Sequence, residues 1–299
     1  MSVAARAPGV VASRLWIRRF GTLADGHGAF VTATVEAVAW IVAVPDNVVV
    51  DPVASIFLPG ILMPAFLRYG PLRGELGGTR ATFTKELEVY AGAAAPADYS
   101  IGVEIDGLDR FADELGLDRF HLYGHSAGGA IALAYAAAHP QRLLSLALDE
   151  PASDFSDEDR RAIDQDLPSD LDDLPVPERM TRFTRSMLRP GVEAPTMAPP
   201  ADNPEMAKRP AGLSAFRRAL ASYQLDLDVL RSFAGPVYYS YGGLSNQRWE
   251  AMAERLQRVL PRCTVERYDG IHHLNTSHQA EPGRVAAALD RLWSDAERT

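Results

Sequence analysis

Residues 120–138 read FHLYGHSAGGAIALAYAAA, and this stretch decides the fold. Residues 120–123 form a short apolar run typical of a buried strand, and residues 127–138 are small apolar residues that predict a helix ended by Pro140. Between them lies the G-x-S-x-G sequence Gly124-His125-Ser126-Ala127-Gly128. A strand, a sharp turn and a helix in this order predict that the serine lies on a strained turn. The residues two before and two after the serine must then be glycine.

In such a turn, the Ser126 hydroxyl stands above the sheet at the positive end of a helix. The Ala127 amide then points to where an oxyanion forms when a carbonyl group is attacked. The alternative is an ordinary tight turn in which Ser126 only caps the helix.

The rest of the chain predicts an α/β fold with a doubly wound, mostly parallel sheet. From Val53 onward, short apolar runs alternate with longer amphipathic segments, as in successive strand-helix-strand units. The strands are placed at residues 54–58, 83–90, 120–123, 143–148, 237–241 and 263–268, and the main helices at residues 105–115, 127–138, 246–260 and from Pro282 onward. In residues 1–54, the β-rich runs 15–17, 29–35 and 48–50 are interpreted as antiparallel strands.

Residues 151–232 interrupt the alternation, because a single short helix would suffice between the strands on either side. Helices are predicted there over residues 178–188 and 213–225. We therefore predict one core domain, residues 1–150 and 233–299, with an inserted helical cap, residues 151–232. Nine acidic residues lie between Asp154 and Asp173. They are interpreted as a solvated helix face, with exclusion of anionic substrates as the alternative.

The amino-acid composition limits the classes of partner that we expect. The 299 residues include 30 Lys and Arg against 39 Asp and Glu, a net charge of −9, which disfavours nucleic acid. The single cysteine, Cys263, excludes an internal disulfide and a thiolate metal cluster. The uncharged apolar segment at residues 37–44 is far below the roughly 18 residues of a membrane span. We expect a cytoplasmic protein with a small-molecule substrate and no membrane partner, a homodimer being an alternative to a monomer.

From about Ala54 to its C-terminus, the chain resembles the α/β-hydrolase fold superfamily, and within it the capped serine hydrolases similar to esterases. The G-x-S-x-G turn is the most specific part of the resemblance. The resemblance also implies an oxyanion-hole loop after the family's third strand, usually containing His-Gly. The matching sequence here is Leu58-Pro59-Gly60-Ile61-Leu62, in which Pro59 replaces the histidine. By the same resemblance, the backbone amide of Ile61 is the second oxyanion donor.

A serine hydroxyl needs a base with a pKa near 7, which histidine supplies. The resemblance places this base between the last strand and the last helix, where His272, His273 and His278 cluster. Gly270-Ile271-His272-His273 resembles the family's G-x-x-H arrangement and favours His273, with His272 and His278 as alternatives. A metal site is not expected, because no carboxylate spacing typical of zinc accompanies these histidines.

The third member of a catalytic triad with this serine and histidine should be a carboxylate that orients the imidazole. The resemblance implies an acid just after the strand at residues 237–241, yet residues 242–246 are Gly-Gly-Leu-Ser-Asn, with Ser245 near the expected position. In some relatives the acid lies at the end of the preceding strand, where this chain has Asp149 and Glu150. Glu150 is the candidate; Asp149 and an incomplete triad are the alternatives.

These residues predict a serine hydrolase that cleaves a carboxylic ester, lactone or thioester of a small to medium apolar substrate through an acyl-enzyme, without metal or organic cofactor. The candidate substrate-binding residues are Leu62, His125, Met180 and Phe183, within a wider apolar set of Met187, Met197, Phe216 and Tyr223. Ordinary packing of the cap on the core is the alternative interpretation of the cap residues. One alternative is a cofactor-independent lyase, cyclase or carbon-carbon hydrolase with His273 as acid and base. Another is a non-catalytic ligand-binding relative.

Overall fold

A computed structural model describes residues 12–14, 40–42, 53–77, 80–153, 161, 169–195 and 204–298. Across these residues, eight strands form one sheet in the order β1-β2-β4-β3-β5-β6-β7-β8. The strands are β1 (Ala12–Arg14), β2 (Trp40–Val42), β3 (Ala54–Leu58), β4 (Thr82–Thr84), β5 (Phe120–His125), β6 (Leu143–Asp149), β7 (Val237–Gly242) and β8 (Cys263–Tyr268). Strands β3 to β8 are mutually parallel, and β2 pairs antiparallel with both β1 and β4. The predicted α/β fold with a mostly parallel sheet is confirmed.

Helices cover both faces of the sheet, because successive strand residues point to opposite sides. Ile56 and Leu58 of β3 belong to one apolar cluster, whereas Phe57 between them belongs to a second. The helices are Ala65–Arg68, Gly70–Glu75, Ile101–Glu114, Ala127–Ala138, Val176–Ser186, Pro204–Ala207, Arg209–Ser222, Leu227–Leu230, Arg248–Val259, Ser277–Ala280 and Pro282–Glu297. No helix of the described segments is long and apolar enough to cross a bilayer.

The predicted strand at residues 83–90 is wrong in extent. Strand β4 ends at Thr84, and Glu88–Tyr90 forms a 3-10 turn instead. The buried Glu104 carboxylate accepts the amide N–H groups of Glu88 and Val89 at 2.9 and 3.1 Å. Because a side chain already satisfies these donors, they are not available to a neighbouring strand.

Of the prediction for residues 1–54, only the antiparallel orientation of the strands is confirmed. Strands β1 and β2 pair antiparallel, but they lie at residues 12–14 and 40–42. The predicted runs at residues 15–17, 29–35 and 48–50 lie outside the described residues.

The segment 151–232 carries four of these helices and a 3-10 turn, Ser169–Asp173. Most of its acidic run lies outside the described residues, but Asp172 does not. The Asp172 carboxylate is 3.3 Å from both Arg217 and Arg218 and accepts the Ser214 hydroxyl at 2.7 Å. This acid therefore fixes the turn to the helix Arg209–Ser222. The division into core and cap stays a prediction.

Candidate active site

The serine turn is strained, and its packing requires glycine on both sides. Ser126 has φ 53° and ψ −117°, a conformation that L-residues rarely adopt. A Cβ atom on Gly124 would lie 2.4 Å from the Gly128 carbonyl oxygen, and one on Gly128 would lie 2.4 Å from that of Leu58. The helix Ala127–Ala138 can thus pack directly against β3 and β5, which leaves Ser126 at the carboxyl edge of the sheet.

The register of the sheet brings Glu150 to the same edge. His125 pairs with Asp149 in neighbouring parallel strands, so the residues that follow them, Ser126 and Glu150, are at equivalent heights. Glu150 also has a positive φ, 48°, and its amide donates to the Ser240 carbonyl at 3.1 Å. The chain turns sharply at both strand ends, which directs both side chains toward the space above the sheet.

The structure brings Ser126, His273 and Glu150 into one hydrogen-bonded chain. The Nδ1 atom of His273 is 2.8 Å from Glu150 Oε2, and its Nε2 atom is 3.0 Å from Ser126 Oγ. The second Glu150 oxygen accepts the Gly242 amide at 2.7 Å. With Nδ1–H donating to Glu150, Nε2 carries the lone pair that accepts the serine proton.

Two backbone amides are available beside this serine. The N–H groups of Ala127 and Ile61 make no hydrogen bond to any residue that the structure describes. The Gly128 amide donates to the Pro59 carbonyl at 3.0 Å, which fixes the loop 58–62 to the serine turn. Pro59 can replace a histidine here because its carbonyl, not its side chain, makes this contact. Both amides remain candidates for an oxyanion hole.

A cleft opens at the serine. Leu62, His125 and Phe183 line it, as predicted, whereas Met180 does not. Met180 lies about 4.5 Å earlier along its helix than Phe183 and packs against the main apolar cluster. The full lining comprises Gly60, Ile61, Leu62, Met63, Arg68, His125, Ser126, Phe183, Met206, His273 and Leu274.

None of the described residues of the wider apolar set lines the cleft. Met187 and Phe216 are buried in the main cluster, and Tyr223 packs against it. Met197 lies outside the described residues. The described residues also contain no group of three potential ligands that could hold a metal ion.

Comparison with known proteins identifies the fold. A family model for the alpha/beta hydrolase fold matches residues 90–187, which include the serine turn and Glu150. Naproxen esterase from Bacillus subtilis superposes with a TM-score of 0.58 at 16% identity, covering 85% of each chain. A thermophilic esterase from Thermogutta terrifontis, with malate bound, gives 0.57 at 20% identity, covering 82% of this chain and 90% of its own. The chain has the alpha/beta-hydrolase fold.

One curated relative of this alpha/beta-hydrolase chain is N-formylmaleamate deformylase from Pseudomonas putida. The two are 32% identical over 123 residues, which are 40% of this chain and 45% of the relative. The matched region thus spans less than half of that protein's length.

Burial sets the ionisation of the alpha/beta-hydrolase site. Burial, assisted by the charges of Arg248 and Arg68, lowers the pKa of His273 well below its usual range. Burial and then the Asp149 carboxylate raise the pKa of Glu150, against the Ser245 hydroxyl and the Gly242 amide. The imidazole is therefore neutral at pH 7, the form that can accept a proton.

The alternative residues form separate contacts. His278 and Asp149 are both buried, with Nδ1 and Oδ2 2.7 Å apart. Hydrogen bonds from His278, Ser240 and Ser277 hold the pKa of Asp149 below its usual range although burial alone would raise it. His272 accepts the Asn275 amide at 3.2 Å. The Ser126 amide donates to the Asp149 backbone carbonyl at 3.0 Å, but none of these three side chains hydrogen-bonds to the Ser126 hydroxyl.

Two residues beside the site were not singled out from the sequence. Trp249 lies in the helix predicted at residues 246–260, and its ring stacks on His273 with centroids 4.2 Å apart. Arg68 lines the cleft, and nothing in its sequence context distinguishes it from a surface arginine. The sequence offers one signal for Trp249, which follows closely after residues 242–246, where the expected acid is missing.

Proposed function

We propose that this protein is a serine hydrolase that cleaves a carboxylic ester, lactone or thioester through an acyl-enzyme. The observation that carries the proposal is the continuous chain from Glu150 through His273 to Ser126, with contacts of 2.8 and 3.0 Å. These contacts support the proposal, because a serine nucleophile needs a base within hydrogen-bond reach and a carboxylate that orients that base.

In the first half-reaction, Ser126 Oγ bonds to the substrate carbonyl carbon while His273 Nε2 takes the hydroxyl proton. The carbonyl oxygen becomes an oxyanion, for which the Ala127 and Ile61 amides are the available donors. When the tetrahedral intermediate collapses, the bond to the leaving group breaks and His273 returns the proton to that group. Glu150 stabilises the transient imidazolium throughout.

In the second half-reaction, water replaces the alcohol or thiol. His273 takes a proton from water, and the hydroxide oxygen bonds to the acyl carbon. Collapse then releases the carboxylic acid and restores the Ser126 hydroxyl with the proton held by His273. Atoms balance without any further reactant, since water supplies both the oxygen and the proton.

The lining of the cleft supports a small to medium substrate with apolar parts. Ile61, Leu62 and Met63 approach from the loop side, and Phe183 and Met206 from the segment 151–232. Hydrophobic and aromatic walls with few polar groups are typical of small-molecule sites.

A second candidate is hydrolysis of an N-formyl group, which the 32% identity to N-formylmaleamate deformylase favours. The same steps would apply, with Ser126 attacking a formyl carbon and His273 protonating a departing nitrogen. The bond cleaved would be C–N instead of C–O or C–S.

The proposal is tested with a fluorophosphonate probe and intact-mass measurement. We expect one adduct on the wild-type protein and none on Ser126→Ala. Unlabelled wild-type protein should turn over p-nitrophenyl esters, or release formate from N-formyl amides, which separates the two candidates, and labelling should abolish that activity. Absence of an adduct on folded wild-type protein would contradict a serine nucleophile and favour lyase chemistry or ligand binding.

A further inference from the structure

Arg68 is a buried cation with few partners. Its side chain is 5% exposed, and no carboxylate in the described segments forms an ion pair with it. Its Nη2 group donates to Thr276 Oγ1 at 3.0 Å. The same atom lies 3.3 and 3.2 Å from the two ring nitrogens of His125. A neutral imidazole has one acceptor nitrogen, so at most one of these two contacts is a hydrogen bond.

The other donors of Arg68 have no acceptor. Its Nε atom is fully buried without a hydrogen-bond partner among the described residues. Its Nη1 group makes no hydrogen bond to a described residue either, yet it is not among the fully enclosed atoms. A guanidinium carries five N–H donors, so most of its capacity is unused. Buried polar groups normally have partners, because leaving them unpaired is costly.

The nearby carboxylates do not supply the missing acceptors. The charges of Asp149 and Glu150 act on Arg68 through space and raise its pKa, while burial lowers it more strongly. Asp149 instead accepts hydrogen bonds from Tyr123, Ser240, Ser277 and His278. Glu150 accepts from Gly242 and pairs with His273. Their direct contacts therefore lie elsewhere.

Arg68 lines the same cleft as Ser126. Among the residues of that lining, it is the one permanently charged side chain, and none is acidic. An anion entering this cleft would meet a cation with open donors and no competing carboxylate on the walls.

We propose that Arg68 binds a carboxylate of the substrate, so that the protein acts on short carboxylate-bearing esters or amides. This inference rests on the proposed serine hydrolase function. The planar guanidinium can offer two parallel N–H groups to two carboxylate oxygens, a pairing that a neutral ester cannot reproduce. The bound carboxylate would also fix which substrate carbon faces Ser126.

The test measures binding without turnover. Ser126→Ala protein is titrated calorimetrically with monomethyl succinate, which carries one carboxylate, and with dimethyl succinate, which carries none. We expect the monoester to bind at least about tenfold more tightly. Adding Arg68→Met should weaken monoester binding by about 30-fold and diester binding by less than about threefold, as expected for loss of a charged hydrogen-bond donor. Arg68→Lys should retain part of the preference.

The matched control is Arg73→Met in the same background. Arg73 also has a buried Nε without a described partner, but it is outside the cleft lining. It should leave both affinities unchanged. Equal affinity for the two ligands, no detectable monoester binding, or an equal loss for both in Arg68→Met would overturn the inference. Circular dichroism verifies folding of each variant.

Fluorophosphonate labelling of the wild-type protein separates this inference from the proposed function, because the probe is not a carboxylate. Labelling of Ser126 without preference for the monoester would overturn the role of Arg68 alone. Preference for the monoester without labelling would overturn the serine mechanism alone.

Discussion

The indole of Trp249 lies parallel to the imidazole of His273, with ring centroids 4.2 Å apart and planes inclined by 7°. The indole is itself fixed, because its Nε1–H donates to the Pro151 carbonyl at 3.1 Å, and the Trp249 backbone carbonyl accepts the Tyr239 hydroxyl at 2.8 Å. Stacking restricts rotation of the imidazole, so both ring nitrogens stay directed at Glu150 and Ser126.

Replacing Trp249 by leucine should therefore lower kcat more than it raises KM. We expect a loss of about 10- to 100-fold in kcat, since small misplacements of a catalytic base have effects of this size. The measurement is steady-state kinetics on a neutral p-nitrophenyl ester at a temperature where the variant is folded. Trp293→Leu is the control, because Trp293 is also buried and lies beside a histidine, His121, at 5.5 Å. Equal losses in both variants would show that Trp249 acts only through stability.

The Asp149 charge should set the pH dependence of the proposed reaction. Burial, and after it the Asp149 charge, raises the pKa of Glu150. The Asp149 charge also raises the pKa of His273, although burial lowers that pKa more strongly. The acid limb of kcat/KM reports proton loss from this coupled pair. Asp149→Asn removes the charge, so the limb should move to lower pH.

A pH profile from 4 to 9 on the neutral ester, roughly the range over which such groups titrate, provides the measurement. Tyr123→Phe is the matched control, since it removes a 3.2 Å hydrogen bond to Asp149 but keeps the charge. A limb that stays in place or moves to higher pH in Asp149→Asn would contradict the electrostatic argument.

The loop beside the serine should not tolerate a methyl group at Gly60. A Cβ atom there would lie 2.7 Å from His125 Nδ1 and 3.2 Å from Ser126 Cβ. Gly60→Ala must displace this loop and with it the Ile61 amide, so we expect kcat/KM to fall about 10- to 1,000-fold. Gly74→Ala serves as control, because nothing lies within 4 Å of its new Cβ. Comparable activity of the two variants would remove Ile61 from the proposed oxyanion hole.

A buried ion pair should stabilise the contact between the segment 151–232 and the rest of the fold. Arg209 Nη2 is 2.9 Å from Glu86 Oε2, and its guanidinium lies 3.8 Å from the Tyr90 ring centroid. Glu86→Gln should lower the free energy of unfolding by about 3 kcal/mol, because it leaves a buried charge unpaired.

Urea denaturation measures this loss. The control is Glu178→Gln, whose partner Arg182 is 47% exposed, and it should cost below about 1 kcal/mol. A similar small effect for both variants would mean that the Arg209 charge finds another partner.

Much of this architecture follows from local patterns. Strands β3 and β8 and the helix Ala127–Ala138 lie at the predicted residues, because each is a continuous run bounded by a proline, glycine or change of periodicity. The predicted strand at residues 83–90 was too long because Glu104, distant in sequence, binds the amides that a strand would use. Such a side-chain contact has no local signature.

The site residues that follow strand ends could be predicted, because position along a strand determines where they lie. Ser126 and Glu150 follow strands whose register places them together. Arg68 lines the cleft and Trp249 stacks on His273, and both placements depend on side-chain directions that spacing does not encode. Met180 was misplaced for the same reason, since helical periodicity identifies a face but not the turn that reaches the cleft.

The position of the acid has a consequence for how such sites change over time. Ser245 is buried near Gly242, whose amide already binds Glu150, so the ends of β6 and β7 both reach the same side of His273. Ser245→Asp should therefore restore part of the esterase rate that Glu150→Ser removes, measured on one ester under identical conditions. A descendant could gain the second acid before losing the first, and the ancestral enzyme would stay active during the exchange.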